Sequence, residues 1–210
     1  MNSNSVLGKD WLSKNFNEET VKFLKNNFSL SEILSRLIAI RKIKLEDVNL
    51  FLNPKLKNII PNPFILKDME KSVDRTIKTI LSNDKIGIFG DYDVDGATST
   101  ALLGNYFSQI DQKISVYIPD RKSEGYGPSN NGFSKLISDG SKIIFTVDCG
   151  TLSFETIDYS QNKKIDVIVL DHHQSETRLP NAFSIVNPNR IDDNSNLNYL
   201  CAAGVCFMFL

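Results

Sequence analysis

The chain has 210 residues, 41% hydrophobic and 23% charged, which leaves room for one large or two small domains and excludes disordered and fibrous classes. Lys and Arg number 24 against 25 Asp and Glu, a net charge of −1, so overall charge does not advertise nucleic acid, although a local basic groove remains compatible with it. Three scattered cysteines without CxxC spacing argue against a disulfide framework or a cysteine zinc site and for a reducing compartment.

The opening MNSNSVLGKDW has no basic stretch followed by an apolar run, and no apolar stretch reaches the ~20 residues of a membrane span. A soluble, cytoplasmic protein with no membrane partner is expected. Residues 1–66 read as a small helical segment, with Trp11 as a core candidate. Ser29-Leu30-Ser31-Glu32 has the capping-box pattern ahead of Ile33, Leu34, Leu37, Ile38 and Ile40, which recur at helical spacing. A second short helix is expected over 45–52, ending before Asn53-Pro54, and Pro61-Asn62-Pro63 reads as an extended linker.

From residue 67 the pattern becomes alternating. The spacing predicts an amphipathic helix over 69–81 with Val73, Ile77 and Ile80 on one face. Apolar runs at 86–89, 114–118, 143–147 and 167–170 read as strands, separated by helices over 97–107, 131–138 and 154–162. Short strands that are apolar on both faces and alternate with helices define an α/β fold with a parallel sheet flanked by helices, here over 67–210. A fifth strand at 183–186 and a helix starting near 200 complete the reading. Because the chain stops on Phe209-Leu210 with no polar cap, this second domain is expected to be truncated.

In an open α/β sheet ligands bind beyond the carboxyl ends of the strands. Asp91-Tyr92-Asp93-Val94-Asp95-Gly96 follows the first strand, and Pro119-Asp120-Arg121 with Glu124-Gly125-Tyr126-Gly127 the second. Asp148-Cys149-Gly150 follows the third, and Asp171-His172-His173, holding both histidines of the chain, the fourth. Five aspartates (91, 93, 95, 148 and 171) on one rim repel one another, at about 4 kcal/mol per pair ~4 Å apart at an effective dielectric of ~20, so the cluster calls for cations. Carboxylates with imidazole suit Mn²⁺, Zn²⁺ or Fe²⁺, and bridging carboxylates suggest two ions.

An EF-hand is the first rival, but it needs a Glu where Leu102 stands and a helix in place of the preceding strand. A haloacid-dehalogenase-type phosphatase leaves the histidines unexplained. A dinucleotide turn would not carry three acids facing a pyrophosphate.

GDYDVDG, PDRKSEGYG, TVDCG and DHH, in that order after successive strands, resemble the DHH phosphoesterase superfamily. The stretch YIPDRKSEGYGPS, the VNPN after DHH and Ala202-Ala203-Gly204-Val205 are similar to its RecJ-type branch of single-strand-specific 5′→3′ DNA exonucleases. The resemblance implies a two-metal phosphodiesterase using Mn²⁺ or Mg²⁺, acting on single-stranded DNA in repair and recombination, with a single-strand-binding protein and a helicase as partners. It also implies that Asp93 and Asp95 each ligate a metal, that Asp148 bridges two ions and that His172 ligates. Asp91 would ligate directly or orient a water. His173 would touch the substrate phosphate, with Asp171 fixing a histidine tautomer.

Arg121 is a candidate phosphate clamp or, alternatively, an ion-pair partner of Glu124. Tyr126 either stacks on a base or packs within its loop, and Gly125, Gly127 and Gly132 would let backbone pass close to substrate. Cys149 reads as packing. Relatives in the superfamily that cleave short oligoribonucleotides, cyclic dinucleotides or pyrophosphate share these motifs, and a binding fragment without turnover is a further alternative.

Overall fold

The computed structural model describes residues 8, 9 and 12–210; Trp11 lies outside the described residues. The chain divides into two compact units, Met1–Ile60 and Pro61–Leu210. Residues 61–66 thus belong to the second unit, and Leu66 is buried in its core.

In the first unit α1 (Glu18–Phe28) begins at Asn17, whose side chain accepts from the amides of Glu19 and Thr20. Ser29 ends α1 in the left-handed region at φ 52° instead of opening the next helix. Helix α2 (Glu32–Ile40) starts at Ser31, whose hydroxyl accepts from Leu34 N, so Glu32 falls at the first helical position and the expected capping box does not form. A 3₁₀ turn (Leu45–Asp47) and α3 (Val48–Leu52) occupy the expected second helix, and α4 (Leu56–Ile59) adds one turn. Leu24, Ile38 and Val48 form the buried centre.

In the second unit a 3₁₀ turn (Pro63–Ile65), capped by Asn62, occupies part of the expected linker. There follow α5 (Met69–Leu81), β1 (Lys85–Gly90), α6 (Val94–Gln109), β2 (Ile114–Tyr117), α7 (Asn130–Ser138), β3 (Ser141–Val147), α8 (Phe154–Asn162), β4 (Asp166–Leu170), β5 (Ser184–Val186) and α9 (Ala202–Phe209). The sheet order is β2-β1-β3-β4-β5, all parallel. Side chains alternate across each strand. Ile86, Ile88, Phe145, Ile168 and Val186 join α5, α6 and α9 in one core, while Phe89, Ile144, Val167 and Val169 join α7 and α8 in the other.

Helix α5 keeps most of its predicted face, with Val73 and Ile80 packed against the core, but not Ile77. Ile77 is 47% exposed, whereas Ser72, Thr76 and Thr79 are buried. Their hydroxyls donate to the carbonyls four residues earlier, of Asp68, Ser72 and Arg75, so the helix buries them at little polar cost, and hydropathy alone overlooks this part of the face.

The order of the strands fixes where a ligand can sit. From β1 the chain moves outward to β2, then crosses back to β3 and continues to β4 and β5. The connections leave opposite faces at β1 and β3, and a crevice opens beyond their carboxyl ends.

Candidate metal centre

Asp91 follows β1 directly and is buried at 2% exposure. Its neighbour Gly96 passes so close that an added Cβ would lie 2.6 Å from the Asp91 carbonyl oxygen, so glycine is required for the turn into α6. Asp93 caps α6, its Oδ1 accepting from Gly96 N at 3.0 Å. That hydrogen bond holds its carboxyl below the usual range. Two residues on, the Asp95 carboxylate accepts from Ala202 N and Ala203 N, both at 2.8 Å, at the start of α9.

Asp148 continues β3, with its amide donating to Leu170 O at 3.1 Å, and takes a left-handed φ of 60°. It is 2% exposed. Burial first, then the charge of Asp95 and the contact with Asp93, push its pKa up to about 8. Burial likewise raises Asp91. Asp171 continues β4, its amide donating to Val186 O, so strand pairing sets its position too.

Asp171 Oδ1 accepts from His172 N and from His173 Nδ1, both at 2.7 Å, and Oδ2 from Thr151 N at 3.1 Å. Burial alone would raise this carboxyl, but the hydrogen bonds from His173 and Thr151 carry it below the usual range. The same bond raises His173 to about 8. His173 Nε2 meets Tyr126 Oη at 3.1 Å, and Tyr126 Oη lies 3.2 Å from the Asp148 carbonyl. A carbonyl only accepts, so the tyrosine donates to it and the histidine nitrogen donates to the tyrosine. Burial, followed by the surrounding carboxylates, pushes the Tyr126 phenol well above its ordinary range.

The structure brings the predicted residues together in two overlapping groups. Asp91, Asp93 and Asp148 can each offer an oxygen within 4.8 Å of the others, and Asp148, His172 and His173 do the same. His172 Nε2 lies 3.3 Å from Asp148 Oδ1 and 3.5 Å from Asp95 Oδ2, so Asp95 borders the second group. Asp91 Oδ1 and Asp148 Oδ1 are buried without a hydrogen-bond partner. Two orphaned carboxylate oxygens beside an imidazole are a donor set that fits a divalent cation.

The Arg121 guanidinium lies 5.4 Å from the Tyr92 ring centroid, near enough for its charge to act on Asp91. Glu124 accepts from Tyr117 Oη and from Asp120 N, and among the described residues no ion pair joins it to Arg121. Gly125 and Gly127 take positive φ, whereas Gly132 packs against the Phe89 and Tyr117 rings. Cys149 is buried, which pushes its thiol well up.

Sequence reasoning gave no role to Asn187. It is fully buried and donates to Thr151 Oγ1 at 2.8 Å and His173 O at 2.9 Å, while its Oδ1 accepts from Asn189 N. Asn189 in turn donates to His172 O. Two asparagines around Pro188, just past a strand, were the available signal, since Asn side chains bond nearby backbone.

An all-parallel sheet flanked by helices, with carboxylates and histidines gathered at its carboxyl rim, defines an α/β domain whose rim groups could hold a metal ion. Residues 85–210 match the family described as the DHH family, N-terminal domain, and the chain belongs to that family. It is 31% identical over 198 residues to the single-stranded-DNA-specific exonuclease RecJ of Bacillus subtilis strain 168, covering 94% of this chain and 25% of that protein. It is 34% identical over 186 residues to RecJ of Haemophilus influenzae, covering 88% of this chain and 32% of that protein.

The chain therefore spans about a quarter to a third of the length of these curated relatives. The crystal structure of exonuclease RecJ bound to manganese aligns with TM-score 0.62 at 28% identity, over 69% of this chain and 36% of that one. RecJ in complex with Mn²⁺ from Thermus thermophilus shares the fold, with TM-score 0.70 at 20% identity, over 92% of this chain and 26% of that one.

Proposed function

We propose that this chain carries the metal centre of a single-strand-specific DNA exonuclease that hydrolyses phosphodiester bonds from the 5′ end with Mn²⁺ or Mg²⁺. The observation that carries the reading is the pair of buried, unpartnered oxygens of Asp91 and Asp148 within one carboxylate cluster at the β1/β3 crevice. The likeness to RecJ proteins, one of them described as bound to manganese, supports the choice of metal and substrate. In this reading Asp93, Asp95, Asp148 and His172 would hold two divalent ions, with Asp148 as the ligand they would have in common and Asp91 beside it. Bound ions supply Lewis-acid activation of water and neutralise charge at the phosphate.

The residues of the chain do the rest. Asp171 fixes the His173 ring through Nδ1, leaving Nε2 as the donor that passes from Tyr126 to a substrate phosphate oxygen. Arg121, exposed beside the rim, contributes a forked donor for a second phosphate. The cellular setting that goes with this reading is cytoplasmic DNA repair and recombination, beside a single-strand-binding protein and a helicase.

The test has two arms. Calorimetric titration with Mn²⁺ reads the centre, and release from 5′- or 3′-labelled single-stranded oligonucleotides reads the substrate. Mn²⁺ binding with mononucleotides leaving from the 5′ end is the expected result. No Mn²⁺ binding sinks the metal centre. Faster turnover of dinucleotides or pyrophosphate than of long strands reassigns the substrate.

A further inference from the structure

The Asp95 carboxylate is the one member of the cluster whose two oxygens are both held by backbone from the far end of the chain. Oδ2 accepts from Ala202 N and Oδ1 from Ala203 N, each at 2.8 Å, across more than a hundred residues. These are the first two amides of α9, which have no partner inside their own helix. Cys201, at the cap position, makes no side-chain capping bond, so Asp95 supplies the cap in its place. The positive end of the helix faces the carboxylate. The body of α9 is anchored independently, with Val205, Cys206, Met208 and Phe209 buried in the core shared with α6. Each carboxylate oxygen has two lone-pair directions, and the amides use one on each. Oδ2 also lies 3.5 Å from His172 Nε2.

We propose that the Ala202 and Ala203 amides are a positioning element of the metal centre: they clamp the Asp95 carboxylate in one rotamer and turn Oδ2 toward the ion site. Divalent-ion affinity then depends on the start of α9, and ion binding in return steadies the start of α9. This rests on the metal-centre reading above. Orienting groups of this kind typically change metal affinity by about 10- to 100-fold.

Ala202→Pro tests the clamp at a single atom. Position 202 is the first helical residue, where proline suits the helix and only an amide is removed. Cys201 before it is extended, at φ −79° and ψ 171°, the conformation that a residue preceding proline adopts. The expected result is a folded chain with unchanged far-ultraviolet dichroism and Mn²⁺ binding weakened about tenfold by calorimetry. Wild-type Mn²⁺ affinity in a folded Ala202→Pro chain would overturn the clamp.

Because the proline ring enters a fully buried position, a second measurement uses the unmodified chain. Saturating Mg²⁺ should slow hydrogen exchange at the Ala202 and Ala203 amides by more than at Val205 and Cys206. Equal effects at all four would mean that the contact is only a helix cap, and the proposal fails. A wild-type chain that binds neither ion overturns the metal-centre reading and this proposal with it, whereas binding without the two α9 effects overturns this proposal alone.

Discussion

Asp148 combines three features that a residue kept for stability would avoid: 2% exposure, a left-handed backbone and a buried oxygen with no hydrogen bond. Such a carboxylate costs folding energy in the ion-free chain and returns it when a cation is bound. Asp148→Asn should therefore weaken Mn²⁺ binding at least tenfold while making the ion-free chain about 1–3 kcal/mol more stable at pH 8, by removing a buried charge. Calorimetry and urea unfolding in chelator read the two effects, and a variant that loses stability without losing affinity would make Asp148 a structural residue. Asp171 has the opposite character, being buried yet fully engaged by His173, His172 and Thr151. Its bond is the main cause of the raised His173 pKa, so Asp171→Asn should bring His173 from about 8 back toward its ordinary value of ~6.5. Titration of the His173 ring protons by nuclear magnetic resonance measures this directly. A value that stays near 8 would assign the shift to the remaining carboxylates.

The elements were largely legible because each strand is apolar on both faces and each helix between strands carries its own period. The first unit was less legible, since Ser29 and Ser31 both suit a cap and only the backbone decides that Ser29 closes α1 while Ser31 opens α2. Small residues inside elements were also hard to interpret. Gly132 in α7 was read as clearance for substrate, yet an added Cβ there would lie 2.5 Å from Phe89 Cε2 and 2.7 Å from Tyr117 Cε1. Gly104 in α6 has only Ile114 Cδ1 at 3.8 Å. Gly132→Ala should then cost about 1–3 kcal/mol by overpacking, and Gly104→Ala should gain up to about 1 kcal/mol from helix propensity. Chemical denaturation of the two variants side by side checks the contrast. Asn187 is the corresponding case in a loop, where its amide ties Thr151 to the DHH segment. Asn187→Ala leaves buried groups unpaired and should cost about 2–3 kcal/mol in the same assay. A loss below 0.5 kcal/mol, roughly the level of an ordinary surface change, would remove it from the scaffold of the site.

At the scale of the molecule, the rule that strands of a parallel sheet aim their ends at one rim placed Asp91, Asp148 and the histidines correctly relative to the sheet. It could not reveal what orients them, because those contacts join residues such as Asp95 and Ala202, whose pairing appears only once α9 packs on the core. The assembled cluster has a collective property, competition between protons and cations. Asp148 at about 8 means that the ion-free folded chain keeps a proton that the unfolded chain, at ~3.9, has released. Its stabilising effect is complete below the unfolded value and is lost as pH rises through 8. His173, raised to about 8 from ~6.5, acts in the same direction in the upper part of that window. Asp171, lowered, acts oppositely, with its contribution present above the unfolded range and lost only as pH falls below it. From pH 6 to 8.5 the first two groups dominate, so thermal stability in chelator should fall. Divalent ions require the deprotonated ligands, so affinity rises over the same interval. At 100 times the dissociation constant, binding adds about 2.7 kcal/mol. Melting temperatures taken in Mg²⁺ should therefore hold level or rise from pH 6 to 8.5 while those in chelator decline, and the two curves should diverge most at the alkaline end. Parallel curves would mean that the ion does not displace the Asp148 proton, and the metal would then have to be sought away from the β1/β3 crevice.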